Sequence, residues 1–303
     1  MIVLFCVTAF TALLFSLLPG DLAEVNIPFG SDEQRDALRE DLGLNESLPV
    51  QYARWLGDFV TGDFGSFYRQ GNVTPVADRV SDTFPVTLQL IVYAQIVALS
   101  LAIPLGIFTA RHAGSWMDKA TNTTAFGLIS IPGFVLALVL AYVVGVELGW
   151  LPPQGYEKFS ESPVEHFKTM ALPALSIGIG QAATYMRLLR TDMVATLQQD
   201  FILMAKSKGI TERRVLWRHA LRPSSLTLLT SAGLSTSALI GNALVLELIF
   251  NLDGMGRLIF EAINERQTTV VQSLVALIAT AYVLLNFLVD FLNSVLDPRI
   301  RRG

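Results

Sequence analysis

The side chains best suited to chemistry are few in this chain, and they are scattered. His112, His166 and His219 fall in three different loops, and Cys6 is the only cysteine. Imidazoles and thiolates hold a metal only when several converge, and a disulfide needs a second thiol, so the sequence predicts no metal centre and no disulfide within the chain. A glycine-rich phosphate cradle would read Gly-x-x-x-x-Gly-Lys-Ser/Thr, and no such run is present. The expectation is therefore a chain with no catalytic, cofactor-binding or metal-binding residues of its own. Two other classes of residue stand out. Gln89, Gln95, Asn122, Gln181, Asn242 and Asn286 interrupt otherwise apolar runs, with Glu247 and Asp290 near run ends. Polar groups in hydrocarbon are costly and are functional candidates, against the plainer reading of an interhelical hydrogen bond averaging about 0.6 kcal/mol. The second class is a dense set of cations between Asp200 and Arg222.

The elements that must carry these residues are membrane helices. Of 303 residues, 52% are hydrophobic and 16% charged, against roughly 25% charged in soluble domains. Six stretches contain no Asp, Glu, Lys or Arg: residues 1–20, 86–110, 120–146, 170–186, 224–246 and 267–289. Crossing a bilayer core takes about 20 apolar residues. Five stretches reach that length; 170–186 falls short and is expected to extend past Arg187, with its charged ends at the headgroups. Soluble helices alternate polar and apolar faces and these do not, so the fold class predicted is an all-α integral membrane protein of about six spans. Residues 1–20 lack the basic start and small-residue cleavage site of a signal peptide and read as a true first span. Pro104 and Pro132 are expected to kink spans two and three.

Positive charge sets the orientation. With the chain starting inside, the cytoplasmic segments 111–119, 187–224 and 297–303 hold thirteen Lys/Arg in 54 residues. The external segments 20–85, 149–168 and 251–272 hold nine in 108. Both termini are thus predicted cytoplasmic. The division expected is a first helix at 1–20, an extracytoplasmic segment at 21–85, a five-helix core at 86–296 with a loop at 191–223, and a tail at 297–303.

In the external segment, Ser31 to Arg39 reads as a short polar helix capped by a Ser or an Asp. Tyr52, Trp55, Leu56 and Phe59 form one stripe of an amphipathic helix that either lies on the outer membrane surface or packs as a cap on the spans. Residues 61–71 read as turns. The cytoplasmic loop reads as a helix from Thr191 to Lys208, with Asp192 at its positive end and Lys206 and Lys208 at its negative end. Gly209 then supplies the positive φ of a C-terminal cap. Thr211 caps a second helix through Arg222, and Pro223 breaks it from span five.

Asp200-Phe201-Ile202-Leu203-Met204-Ala205-Lys206-Ser207-Lys208-Gly209-Ile210, followed by Arg213-Arg214-Val215 and His219-Ala220-Leu221-Arg222, resembles the EAA loop of binding-protein-dependent ABC importer permeases. Other matches follow in order: Leu18-Pro19-Gly20-Asp21, Pro49-Val50-Gln51-Tyr52, Gly62-Asp63-Phe64-Gly65, Glu247-Leu248-Ile249-Phe250 with Gly254-Met255-Gly256, and Asp297-Pro298-Arg299-Ile300-Arg301. Nearly the whole chain is covered. Three positions depart: the Glu-Ala-Ala register reads Leu203-Met204-Ala205, so only its last alanine survives, and Pro223 stands where the peptide branch often has Asn.

The resemblance implies the first permease subunit of a dipeptide/oligopeptide/nickel-type importer, with the type I (MetI-like) permease fold, in the bacterial cytoplasmic membrane with basic residues preceding Met1. It implies a homologous second permease, one fused or two separate ABC ATPase subunits carrying ATP and Mg, and an extracytoplasmic solute-binding protein; the bilayer is a further partner and nucleic acid is not. Asp200, Ala205, Lys206, Lys208, Gly209, Ile210, Arg213, Arg214, Val215, His219 and Arg222 become the ATPase-coupling loop. Glu247, Asp253, Gly254 and Gly256 become the candidate outer gate. Peptides, nickel chelates, glutathione or haem are substrates the branch allows. The alternative is a stand-alone secondary transporter or channel. Against it stand the lack of an internal repeat and of charge at any span centre.

Overall fold

The computed structural model describes residues 2–17, 22–26, 31–69 and 72–296. The Leu18-Pro19-Gly20-Asp21 and Asp297-Pro298-Arg299-Ile300-Arg301 motifs, the tail and the Asp290 side chain lie outside what is described. Two compact units emerge: residues 1–87 with 253–284, and residues 88–252 with 285–303.

The first unit holds α1 (Ile2–Ser16), α2 (Leu22–Asn26), α3 (Asp32–Asp41), α4 (Leu48–Thr61), strands β1 (Ser66–Arg69) and β2 (Asn72–Pro75), and α12 (Met255–Asn264). It also takes the starts of α5 (Val76–Arg111) and α13 (Thr268–Leu296). Ser31 caps α3 in a full capping box with Gln34. The stripe on α4 packs inward: Trp55 is 5% exposed and donates to Ser273 Oγ at 2.9 Å, and Tyr52 shares a hydrogen bond with Thr8 at 2.8 Å. Of the two readings for α4, the packed cap is the one found. The turns expected at 61–71 give way in part to an antiparallel hairpin. The side chain of Gln267 holds it like a third strand, accepting from Tyr68 N at 2.9 Å and donating to Tyr68 O at 2.6 Å. That partner lies far along the chain, so no local pattern announced it.

The second unit holds the rest of α5 and α13 with α6 (Trp116–Ser130), α7 (Gly133–Leu140), α8 (Pro163–Leu197), α9 (Asp200–Ser207), α10 (Glu212–Arg214) and α11 (Leu221–Phe250). Two wide π turns, Ala141–Glu147 and Val215–Ala220, continue α7 and α10. Helix α8 lies against α6, α7 and α11. Its approach to α5 is very close. A Cβ built at Gly178 would lie 2.6 Å from Val97 Cγ1 and 3.0 Å from the Ala94 carbonyl oxygen. Small residues line this seam, with Ala94, Ala98 and Ala102 wholly buried on α5, as expected where membrane helices gain by backbone proximity. Gly178→Val should therefore force the two helices apart and cost about 1–3 kcal/mol. A fall in the detergent melting temperature reads this out; an unchanged melt would show that the seam is not tight.

Several boundaries differ from the sequence expectation. Helix α5 begins at Val76 and runs through Pro85 and Pro104 as one helix. Pro132 breaks span three outright, bending α6 and the α7–π segment by 99°. It has no amide hydrogen to offer and drives Ile131 to an extended ψ of 123°. Among the described residues, three helices are long and apolar enough to cross a membrane, or four if that bent pair is one span. Of the two other predicted spans, one falls on the shorter α1. The other lies within α8, whose 35 residues carry charge at both ends.

Candidate functional site

The loop expected at 191–223 is a compact helical corner. Helix α8 continues to Leu197, so Asp192 lies in its closing turns and not at a helix start. Gln198 ends α8 and Gln199 opens α9, which corrects the single helix expected over Thr191–Lys208. Asp200 then sits in the first turn of α9, at the positive end of its dipole.

Helix α9 has two faces. Ile202 is fully buried and Ala205 nearly so, inside a cluster with Ile107, Leu189, Met193, Val215, Leu216 and Ala220, with Ile210 packed against it. The other face is open: Phe201 is 46% exposed, and Leu203 and Met204 are each 57% exposed. Lys206, Lys208, Arg213 and Arg214 are exposed beside them, as is Trp217. Gly209 adopts φ +77°, its amide donates to Lys206 O at 2.9 Å, and Ile210 N donates to Ala205 O at 3.2 Å. This double bond pattern is a Schellman cap. A Cβ at Gly209 would meet nothing within 4 Å, so the demand for glycine there comes from the backbone alone.

Thr211 precedes α10 in extended conformation, with no side-chain capping bond. Its neighbour Glu212 pairs with Arg111 at 2.8 Å. The break expected at Pro223 does not occur, and residues 212–250 run on as one helical length. The π turn at Val215–Ala220 opens the ladder just ahead of the residue that cannot donate to it. His219 and Arg222 lie in or beside that turn, half-buried and exposed respectively. Thr196 and Ser224 share a hydroxyl bond at 2.9 Å that ties the end of α8 to α11.

The candidate gate residues divide between the units. Glu247 is fully buried near the end of α11. Asp253 belongs to the other unit and pairs with Arg257 at 2.8 Å. Gly254 caps α12 in extended conformation and Gly256 is buried in its first turn. Arg257 also reaches Glu261, which Arg79 pairs from α5 at 3.1 Å.

Sequence reasoning missed a denser ion pair. Arg190 on α8 donates to both oxygens of Asp118 on α6, Nε to Oδ1 at 2.6 Å and Nη2 to Oδ2 at 2.5 Å. Asn122 Nδ2 adds a bond to Oδ1 and the Gly114 amide one to Oδ2, so each oxygen accepts twice. One signal was present: Ser115 stands three residues before Asp118 and caps α6 at 3.3 Å. Gln95, picked out as an intramembrane polar residue, joins three helices. It accepts from Tyr185 Oη at 3.0 Å and donates to Ala232 O and Thr236 Oγ1.

Apolar helices in this number define a multi-pass membrane protein. Comparison with known proteins gives the family. Residues 102–302 match the family described as "Binding-protein-dependent transport system inner membrane component", and residues 1–91 match its N-terminal companion. The chain belongs to this family, and it is a permease subunit of an ABC importer in the inner membrane. It is 34% identical over 293 residues to a probable peptide ABC transporter permease protein of Sinorhizobium fredii, covering 96% of this chain and 93% of that one. It is 34% identical to the oligopeptide transport system permease protein AppB of Bacillus subtilis, covering 98% and 95%. It is 33% identical to the glutathione transport system permease protein GsiC of Escherichia coli, covering 98% and 94%. Among solved structures, the MetNI methionine ABC transporter in an inward-facing form matches with a TM-score of 0.59, 14% identity, and 72% of this chain against 96% of that one. The fold is accordingly the MetI-like permease fold.

Proposed function

We propose that this chain forms half of a translocation pathway for peptides, takes substrate from an extracytoplasmic binding protein, and is driven through α9 by a separate ATPase. The observation that carries the coupling role is the two-faced α9. Ile202 and Ala205 fix it in the core while Phe201, Leu203 and Met204 stand open among four cations. An element that is rigid on one side and sticky on the other transmits a partner's rigid-body motion into the helices behind it. The density of Lys and Arg around this corner supports a cytoplasmic side for it, and with it cytoplasmic termini. ATP and Mg belong to the partner, and a homologous second permease supplies the other half of the path. Peptide is the substrate class favoured because relatives aligned along nearly the whole chain are described as peptide permeases.

The pathway wall is best assigned to one polar face. Thr184 and Thr191 on α8 and Thr227, Thr230 and Asn242 on α11 are exposed, with Gln181 and Ser231 half-buried on the same stripes. Exposed Leu226, Leu229 and Leu234 stand among these residues on α11, so the α8 side of the face carries the assignment.

Gly209→Val tests the coupling role. Valine at positive φ costs about 1–3 kcal/mol, spent in unwinding the cap. Substrate-stimulated ATPase activity of the purified complex should fall several-fold while membrane insertion is retained, and Gly209→Asn should keep most of it. Full stimulated activity in Gly209→Val would remove α9 from the coupling route.

A further inference from the structure

A groove of about 770 Å³ opens between α6, α8 and α11, on the polar face just described and near the α9 end. Its charges do not balance. Asp118 is consumed by Arg190. Arg187 and Lys119 also line the groove, and among the described residues neither side chain has an ion pair or a hydrogen bond. Arg187 is not loose, however. Its guanidinium carbon lies 3.7 Å from the centre of the Phe126 ring. Stacking occupies one face of the planar group and leaves its edge of N–H donors free. An edge of that kind matches one ligand shape, a planar or tetrahedral oxyanion gripped by two parallel hydrogen bonds. Asn122, Thr184 and Ser231 line the same groove and supply neutral polar groups around the fork.

We infer that Arg187 is the centre of a carboxylate-binding subsite that takes the C-terminal carboxylate of a peptide near the inner end of the pathway. This deepens the peptide reading and rests on it. The requirement it meets is physical. A peptide leaving its binding protein carries a bare carboxylate into a region of low dielectric, where an unpaired charge is heavily penalised. A fixed cation at the inner end offsets that penalty and draws the charge through. Its half-exposed position keeps the grip weak enough for release. A phosphodiester of an anionic lipid offers the same oxygens, so the test must separate the two.

The complete importer, with both permeases, its ATPase and its binding protein, is reconstituted in vesicles of phosphatidylcholine, with or without phosphatidylglycerol. Uptake is measured for a tripeptide acid and its C-terminal amide, each at a concentration that saturates the binding protein. Arg187→Gln should lower the acid-to-amide uptake ratio on the order of tenfold, the low end for a charge-assisted bond at a wet site. Arg187→Lys should restore part of it, and Phe126→Leu should lower it less. Co-purification of the second permease and ATPase should not change. An unchanged ratio in Arg187→Gln overturns the subsite. So does an effect that follows phosphatidylglycerol content in place of the peptide terminus, which assigns Arg187 to lipid. Loss of the second permease from the complex assigns Arg187 to the subunit interface and overturns it equally. If the wild-type complex takes up neither peptide, the peptide reading fails, and the subsite falls with it.

Discussion

Replacing Phe201 and Met204 together by glutamate is expected to abolish stable capture of the ATPase subunit. Both side chains are about half exposed on α9 and make no part of the buried cluster. A partner groove that covers the exposed half of each would gain roughly 1–1.5 kcal/mol from each. Glutamate removes that gain and adds a desolvation cost, so a loss of 3 kcal/mol or more follows, above about a hundredfold in affinity. The permease itself should melt as the wild type does, because Ile202 and Ala205 still anchor the helix. The neighbouring cations give a useful contrast. Lys206→Ala and Lys208→Ala remove exposed charges at the rim of the patch, each worth below about 1 kcal/mol. Titration of purified ATPase against the permease in detergent measures both sets. Undiminished capture by the glutamate pair would move the docking surface away from α9, and lysine effects larger than the apolar ones would make the contact electrostatic.

The features that the sequence made legible are those with local causes. Gly209 could be read because a helix end demands a residue at positive φ, and the capping box of Ser31 and Gln34 because both partners lie within one turn. The apolar stretches announced membrane helices by composition alone. Features with distant causes stayed hidden. Nothing near Gln198 and Gln199 signals a helix break. The corner there follows from Ile202 sinking into a cluster built by α5, α8 and the π turn, and from the Thr196–Ser224 bond. Pro223 was a fair sign of a break, yet the wide turn upstream absorbs it. The hairpin at 66–75 depends on Gln267, and the seating of α4 on Ser273. Arg187 shows the same limit. Its position at the end of a span was plain, but the Phe126 ring beneath it lies on another helix.

Asp118→Ala should destabilise the second unit markedly. It strands the guanidinium of Arg190, which keeps 25% of its side-chain surface exposed while Asp118 keeps 4%. Breaking a fully buried pair costs about 3–5 kcal/mol, and partial water access to Arg190 lowers that to the order of 2–3. The loss has a specific place. Asp118 also holds the Gly114 amide and Asn122, so the turn into α6 should loosen along with its contact to α8. Removing both charges, as Asp118→Asn with Arg190→Gln, should be milder than Asp118→Ala, because no uncompensated charge is then left inside. Thermal melting of the wild type, Asp118→Asn, Arg190→Gln and the double change in detergent closes this cycle, with Asp118→Ala measured beside it. Equal destabilisation by the single and the double change would mean that the pair contributes through packing and not through charge. A wild-type melt for Asp118→Ala would mean that water reaches Arg190 freely. The outcome bears on transport as well, since Asp118 and Arg190 line the same groove as Arg187. While their pair is intact, Arg187 has no carboxylate partner among the described residues. If Arg190 is instead replaced by glutamine, Asp118 is left as a free anion in the groove. Arg190→Gln should then depress uptake of the peptide acid more than uptake of the amide.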